Sequence, residues 1–241
     1  MTRAPGAVPA YPPSFSIGRL EIAPALVLAP MAGLTDAAFR KAVRRCGRVG
    51  LVVSEILPCE GLLRGPRRME GALRIAPDEH PIALQVSGSR PERVAEAARL
   101  CEGRGADAVD INMGCPVAKV TKGSCGAALM RDARQAARIV RAVVDAVAVP
   151  VTVKMRLGWS SREETFLEVA RAVAEEGAAA VTLHPRTREQ GYAGQARWEA
   201  IARLKEAVPV PVVGNGDVKT PRDALELFRT TRCDAVMVGR A

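Results

Sequence analysis

The 241-residue chain is 48% hydrophobic and 25% charged, the balance of an ordinary globular domain, and its length suits one α/β barrel or two smaller domains. No run of about 18 apolar residues occurs, which excludes a transmembrane helix, and six cysteines without a C-x-x-C pair, beside two histidines, argue against a zinc site. The net charge of +9 favours an anionic partner or simply an Arg-rich surface, while only 3% aromatics argues against a broad base-stacking platform.

The N-terminal stretch MTRAPGAVPAYPPSFSIG is rich in proline and alanine and lacks the apolar segment of a secretory signal. We read residues 1–16 as a disordered leader and expect a cytoplasmic protein. FSIG and LEIAP, within residues 15–24, have the makings of a small hairpin across the bottom of the fold. Short apolar strands then alternate with amphipathic helical stretches. Strands are expected at ALVLAP (25–30), VGLVVSEI (49–56), PIALQV (81–86), ADAVDINM (106–113), VPVTVKMR (149–156), AAVTLH (179–184), PVPVVGNG (209–216) and CDAVMVG (233–239). RPERVAEAARLCEGRG (90–105) and SREETFLEVARAVAEEG (161–177) have helical spacing, with Gly105 and Gly177 where a helix should stop. Cys46, in register with Phe39 and Val43, and Cys101, with Val94 and Ala97, are expected as small fillers on buried helix faces. PCEGLLRGPRRMEG (58–71), with Arg64, Arg67 and Arg68, reads as a solvated loop or, more sharply, as a phosphate contact. Eight strands with helices between them predict a (β/α)8 TIM barrel, because parallel strands need crossover connections. An open Rossmann-like sheet is disfavoured, since no G-x-G-x-x-G follows the first strand. The chain stops at VGRA, just after the eighth strand, so we expect a barrel truncated before its last helix.

Side chains alternate across a strand, one face meeting helices and the other the barrel interior. Ile82, Leu84 and Val86 oppose Gln85; Val109, Ile111 and Met113 oppose Asp110 and Asn112. Val151, Val153 and Met155 oppose Thr152, Lys154 and Arg156, and Val181 and Leu183 oppose Thr182 and His184. Asn215, Gly216 and Asp217 follow the seventh strand, Gly239 and Arg240 the eighth. Polar and ionisable residues therefore converge on the C-terminal ends of the strands, where barrel enzymes hold their sites. A buried Lys154 needs a negative partner, either a bound anion or an electron-rich ring. The glycines after strands seven and eight suit a phosphate, because backbone N–H groups approach its oxygens with no Cβ in the way and Arg240 adds charge. Cys115, in the turn of DINMGCPVAK (110–119), is by these criteria either a packing residue or a reactive one.

Taken together, APMAGLTD (29–36), DINMGCPVAKVTKGSCGAALM (110–130), VTVKMR (151–156), LHPRTREQGYAG (183–194), GNGDV (214–218) and VGRA (238–241) resemble the tRNA-dihydrouridine synthases. The match runs in order from about residue 17 to the C-terminus; the DINMGCP and HPRTR-x-Q-G-Y blocks are its specific parts. The resemblance implies that residues 17–241 form an FMN-binding barrel that uses NADPH to reduce a tRNA uridine, usually in the D-loop, to 5,6-dihydrouridine. It implies that Ala29, Pro30 and Met31 line the flavin ring, that Gln85 bonds its edge, and that Lys154 and His184 bind its polar side. Asn215, Gly216, Asp217, Gly239 and Arg240 would hold the ribityl chain and phosphate, Asn112 the target uracil, and Arg156 the bound nucleotide. Cys115 would be the general acid, protonating carbon 5 of uracil as hydride reaches carbon 6; an ordinary thiol is protonated near neutrality yet releases its proton. Cys125 lacks the Asn-x-x-Cys setting and is expected only to pack. No metal, no membrane and a monomer are expected, as is the absence of the relatives' C-terminal tRNA-binding helical domain. Two other readings are an FMN barrel acting on a small molecule, as the dihydroorotate dehydrogenases do, and a non-catalytic RNA-binding barrel. The Asn112–Cys115 block weighs against the first, and intact Cys115, Lys154 and His184 against the second.

Overall fold

The computed structural model describes residues 12–65 and 69–240. Most of the expected leader, and Arg67 and Arg68 of the basic segment, therefore lie outside the described residues. An antiparallel hairpin comes first, β1 (Phe15–Ile17) and β2 (Leu20–Ile22), turning at Gly18 with φ +57°. The remaining strands are β3 (Leu26–Leu28), β4 (Leu51–Val53), β5 (Leu57–Pro58), β6 (Ile82–Ser87), β7 (Ala108–Met113) and β8 (Val151–Arg156). They continue with β9 (Gly158–Ser160), β10 (Glu163–Glu164), β11 (Ala180–His184), β12 (Val212–Asn215) and β13 (Ala235–Val238). Between them run α1 (Ala37–Cys46), α2 (Cys59–Arg64), α3 (Glu70–Leu73), α4 (Pro91–Gly103) and α5 (Ala118–Thr121). The helices α6 (Ala133–Val144), α7 (Phe166–Glu175), α8 (Glu199–Ala207) and α9 (Pro221–Thr231) complete the set.

The strands β3, β4, β6, β7, β8, β11, β12 and β13 pair in parallel around a full circle. The ring closes where Val236 to Val238 of β13 pair with Leu26 to Leu28 of β3. This is the expected (β/α)8 barrel, and its strands close within the described residues. Local chemistry sets the helix ends: Asp36 caps α1, Asp132 caps α6, and Thr220 with Asp223 forms a capping box at α9 behind Pro221. Gly105 and Gly177 stop the helices before β7 and β11 at φ +91° and +93°, a conformation that favours glycine.

Two apolar layers result. Ile82, Leu84, Val109, Ile111, Val153, Met155 and Leu183 point outward against the helices in one large core. Inside the barrel, Val27, Ala83, Ala108, Ala180, Val213 and Ala235 form a second cluster with Phe15, Ile17 and Ile22 of the hairpin. The small alanines leave space that the hairpin fills, so β1–β2 plugs the N-terminal end of the barrel.

Three expectations on individual elements change. Cys46 is exposed, as is Phe39; the buried residue of α1 is Arg40, whose guanidinium bonds Glu79 at 3.1 Å with both side chains fully buried. The inward face of α1 is the adjacent one, which carries Arg40, and Phe39 and Cys46 point away from it. Residues 161–164 are not helical: they belong to the β9–β10 hairpin, and α7 begins at Phe166 after its N-cap Thr165. At Gly158, φ +147°, a Cβ would lie 2.0 Å from the Glu163 carbonyl oxygen, so the hairpin closes only because that atom is absent. The segment read as a loop holds α2 and α3, and Arg64 there sits 3.6 Å from Glu60.

Candidate active site at the C-terminal mouth

Strand register builds the floor of the site. Gln85, Asp110 and Thr152 stand side by side on β6, β7 and β8, and Asn112 stands beside Lys154 one step further along. Gln85 Nε2 donates to Asp110 Oδ2 at 2.6 Å, and Thr152 Oγ1 donates to Asp110 Oδ1 at 2.6 Å. Burial raises the Asp110 carboxyl above its ordinary pKa, opposed by these two hydrogen bonds and by the charge of Lys154. Asn112 Nδ2 donates to Gln85 Oε1 at 2.8 Å, so Gln85 is held at both ends.

Above this floor the chain turns outward. Asn112 Oδ1 accepts from the backbone N–H of Cys115 at 3.0 Å and of Gly114 at 3.3 Å, fixing the turn that carries the thiol. Arg156 Nε donates to the Gly114 carbonyl at 2.8 Å, and its Nη1 donates to the carbonyls of Thr187 and Gly191 at 3.0 and 2.6 Å. One buried arginine thus joins the Cys115 turn to the loop after β11. The backbone after α5 braces the other side: Ala127 N donates to Cys115 O at 3.1 Å, and a Cβ on Gly126 would lie 3.1 Å from Cys115 Cβ. Cys125 donates to Gly123 O at 3.2 Å, and burial raises its pKa; it does not line the cavity.

The mouth itself is a cavity of about 860 Å³. Ala29, Pro30, Met31, Asn112, Cys115, Lys154, Arg156, His184, Asn215, Gly216, Asp217, Gly239 and Arg240 all line it, so the structure brings together every residue expected at the site except Gln85. Gln85 is fully buried behind the wall, where its amide serves Asp110 and Asn112. Several lining residues also have partners that sequence did not reveal. Asn215 accepts from Lys154 Nζ at 3.2 Å and donates to Met237 O at 2.8 Å, anchoring the lysine to β13. Asp217 accepts from Arg186 Nη2 at 2.8 and 2.9 Å and from Ala196 N at 2.6 Å; its carboxylate orients an arginine, and a like charge would repel a phosphate.

The walls are strongly cationic. Lys154, Arg156, Arg186, Lys219 and Arg240 line the cavity against the carboxylates of Asp217 and Asp223. Burial lowers Lys154 to about 8, with Arg156 adding repulsion and Asp110 opposing it. Burial, then Lys154, Arg156, Arg186 and Arg240, hold His184 down to about 2, so its ring is neutral. Lys154 makes no ion pair among the described residues, which leaves a cation facing the cavity with a single protein acceptor. Such a wall fits a ligand with anionic and carbonyl oxygens and a flat ring against Ala29 and Met31. Sequence reasoning missed Arg186 and Tyr192. Both stand in the quoted HPRTREQGY block, yet only the folded loop shows Arg186 against His184 and Asp217, and Arg240 over the Tyr192 ring at 3.7 Å.

Comparison with known proteins gives a consistent result. Residues 27–241 match the family model described as dihydrouridine synthase. The chain is 45% identical over 225 residues to the tRNA-dihydrouridine synthase B of Xanthomonas axonopodis pv. citri, covering 93% of this chain and 68% of the relative. It is 43% identical over 225 residues to a probable tRNA-dihydrouridine synthase of Rickettsia prowazekii, again over 93% and 68% of the two chains. With a probable tRNA-dihydrouridine synthase 1 of Synechocystis it shares 42% over 224 residues, 93% of this chain and 63% of the relative.

Proposed function

Because the chain belongs to the dihydrouridine synthase family, we propose that it reduces a uridine of tRNA, in the D-loop, to 5,6-dihydrouridine, with FMN as resident cofactor and NADPH as reductant. The observation that carries this reading is the juxtaposition of a thiol, Cys115, with a cationic wall of Lys154, Arg156 and Arg240 around one cavity at the barrel mouth. FMN bound there would supply the hydride that the uracil accepts at carbon 6. Lys154 and His184 would hold the polar edge of the flavin, and Arg240 with the backbone at Gly216 and Gly239 its phosphate end.

The chain's own residues divide the remaining work. Asn112 and Arg156 fix the Gly114–Cys115 turn, and so fix where the thiol points. Cys115 delivers a proton to carbon 5 of the uracil as a general acid. Removal of the base from its RNA stack is required, because the half-buried thiol lines a cavity that a stacked base does not enter. The excess of positive charge at the mouth and over the whole chain suits a phosphate backbone.

Anaerobic reduction of the purified flavoprotein followed by mixing with unmodified tRNA tests the reading. Reoxidation of the flavin with appearance of dihydrouridine is expected. Purification without flavin, and no uptake of FMN, would refute it; reoxidation by orotate or a small enone but not by tRNA would favour a small-molecule oxidoreductase.

A further inference from the structure

We propose that Arg186 is a positioning residue that fixes the His184 imidazole as its neutral Nδ1–H tautomer, so that the ring offers the cavity one donor and no acceptor. Arg186 is 4% exposed, two residues beyond His184 at the end of β11. Its Nη1 lies 3.1 Å from His184 Nε2. A guanidinium has donors only, so Nε2 must accept, and the one proton of a neutral ring sits on Nδ1. An imidazolium would set N–H against N–H across the same contact. The heavily cationic surroundings act in the same direction, since Lys154, Arg156 and Arg240 also disfavour charge on the ring.

The rest of the arginine is committed. Its Nε donates to Ala193 O at 3.1 Å, and its Nη2 to Gly194 O at 2.6 Å and to both Asp217 oxygens at 2.8 and 2.9 Å. Asp217 neutralises it, so it holds other groups in place instead of serving as a spare charge for a ligand. The opposite ring edge is free to work. A Cβ at Gly216 would lie 2.9 Å from His184 Cδ2 and 3.3 Å from Nε2, so Gly216 and Arg186 wall off that edge. Nδ1 has no hydrogen-bond partner among the described residues, and the side chain lines the cavity. The ligand atom it meets must be an acceptor, a carbonyl oxygen or an anionic nitrogen or oxygen. The inference rests on the flavin reading only for the identity of that acceptor.

The chain has two histidines, which makes the test direct. The full chain is labelled with 15N-histidine, and long-range proton–nitrogen correlation spectra are recorded with and without added FMN; His80→Gln identifies the second ring. His184 in the wild type is expected to show a protonated Nδ1 and an unprotonated Nε2 at neutral pH. Arg186→Met should yield a tautomer mixture and bind FMN about tenfold more weakly, while Arg186→Lys, which keeps a donor, should restore most of both. A protonated Nε2 in the wild type would overturn the proposal even if neither variant folds, as would an Arg186→Met spectrum unchanged at His184. Should the Nδ1–H signature be present while FMN fails to bind, the flavin reading falls and the tautomer assignment stands.

Discussion

Lys154 and His184 face one cavity, and burial lowers the basicity of both, so each makes the fold more stable as pH rises, but in different pH windows. His184 binds its proton at about 6.5 when unfolded and only near 2 in the fold, so the unfolded chain holds more protons between those limits. The His184 contribution to stability is therefore complete above about 6.5 and is lost with acidification at a rate approaching 1.4 kcal/mol per pH unit. Urea titrations at pH 7 and pH 5 should show the loss, and His184→Phe should reduce the slope. Lys154 carries an ordinary value of 10.5 lowered to about 8, so its folding penalty is relieved as pH rises from about 8 towards 10.5. An anion against the ammonium favours the protonated form. FMN affinity, read by fluorescence quenching, should thus weaken from pH 7 to pH 9.5 in the wild type, stay flatter in Lys154→Met, and keep its profile in Cys115→Ala. Strand alternation alone was enough to point Lys154, His184 and Asn112 inward. The engagement of Gln85 with Asp110 and Asn112, and of Arg186 with His184, depends on register and loop path, which no local pattern encodes.

At the level of elements, the eight barrel strands and the leading hairpin were legible because period-two patterning and turn residues agree with the fold. The β9–β10 hairpin was not, since SREETF continues the helical spacing of α7 and only the approach of Glu163 O to Gly158 separates them. Cys46 failed for a related reason: spacing grouped Phe39, Val43 and Cys46 on one face, whereas the buried face is the adjacent one that carries Arg40 against Glu79. The plug hairpin should matter for stability alone. Ile22→Ala, at a fully buried site, should cost about 2–5 kcal/mol in urea titration without altering flavin affinity. The brace behind the thiol should matter for turnover. At Gly126, φ +60°, a Cβ would lie 2.8 Å from Cys115 O, so Gly126→Ala should shift the turn and lower tRNA reduction by roughly ten- to hundred-fold, with FMN binding retained.

Over the whole molecule, the charge of +9 and the cationic mouth stand beside three exposed large side chains, Leu34, Val117 and Tyr192, that line the cavity. Association with tRNA should be salt-dependent through the first property: raising salt from about 50 to 200 mM should reduce tRNA binding steeply and FMN binding far less. A gel-shift series beside a flavin titration measures the difference. The hairpin that fills the base of the barrel carries a further consequence. With its lower half packed by Phe15, Ile17 and Ile22, the barrel is closed among the described residues at its N-terminal end, and its cavity lies at the other. Water displaced from the depths leaves by the path the guest enters, and a polymer lying across the rim shuts out the next visitor. On the proposed function, reductant and RNA would therefore have to take turns at that mouth.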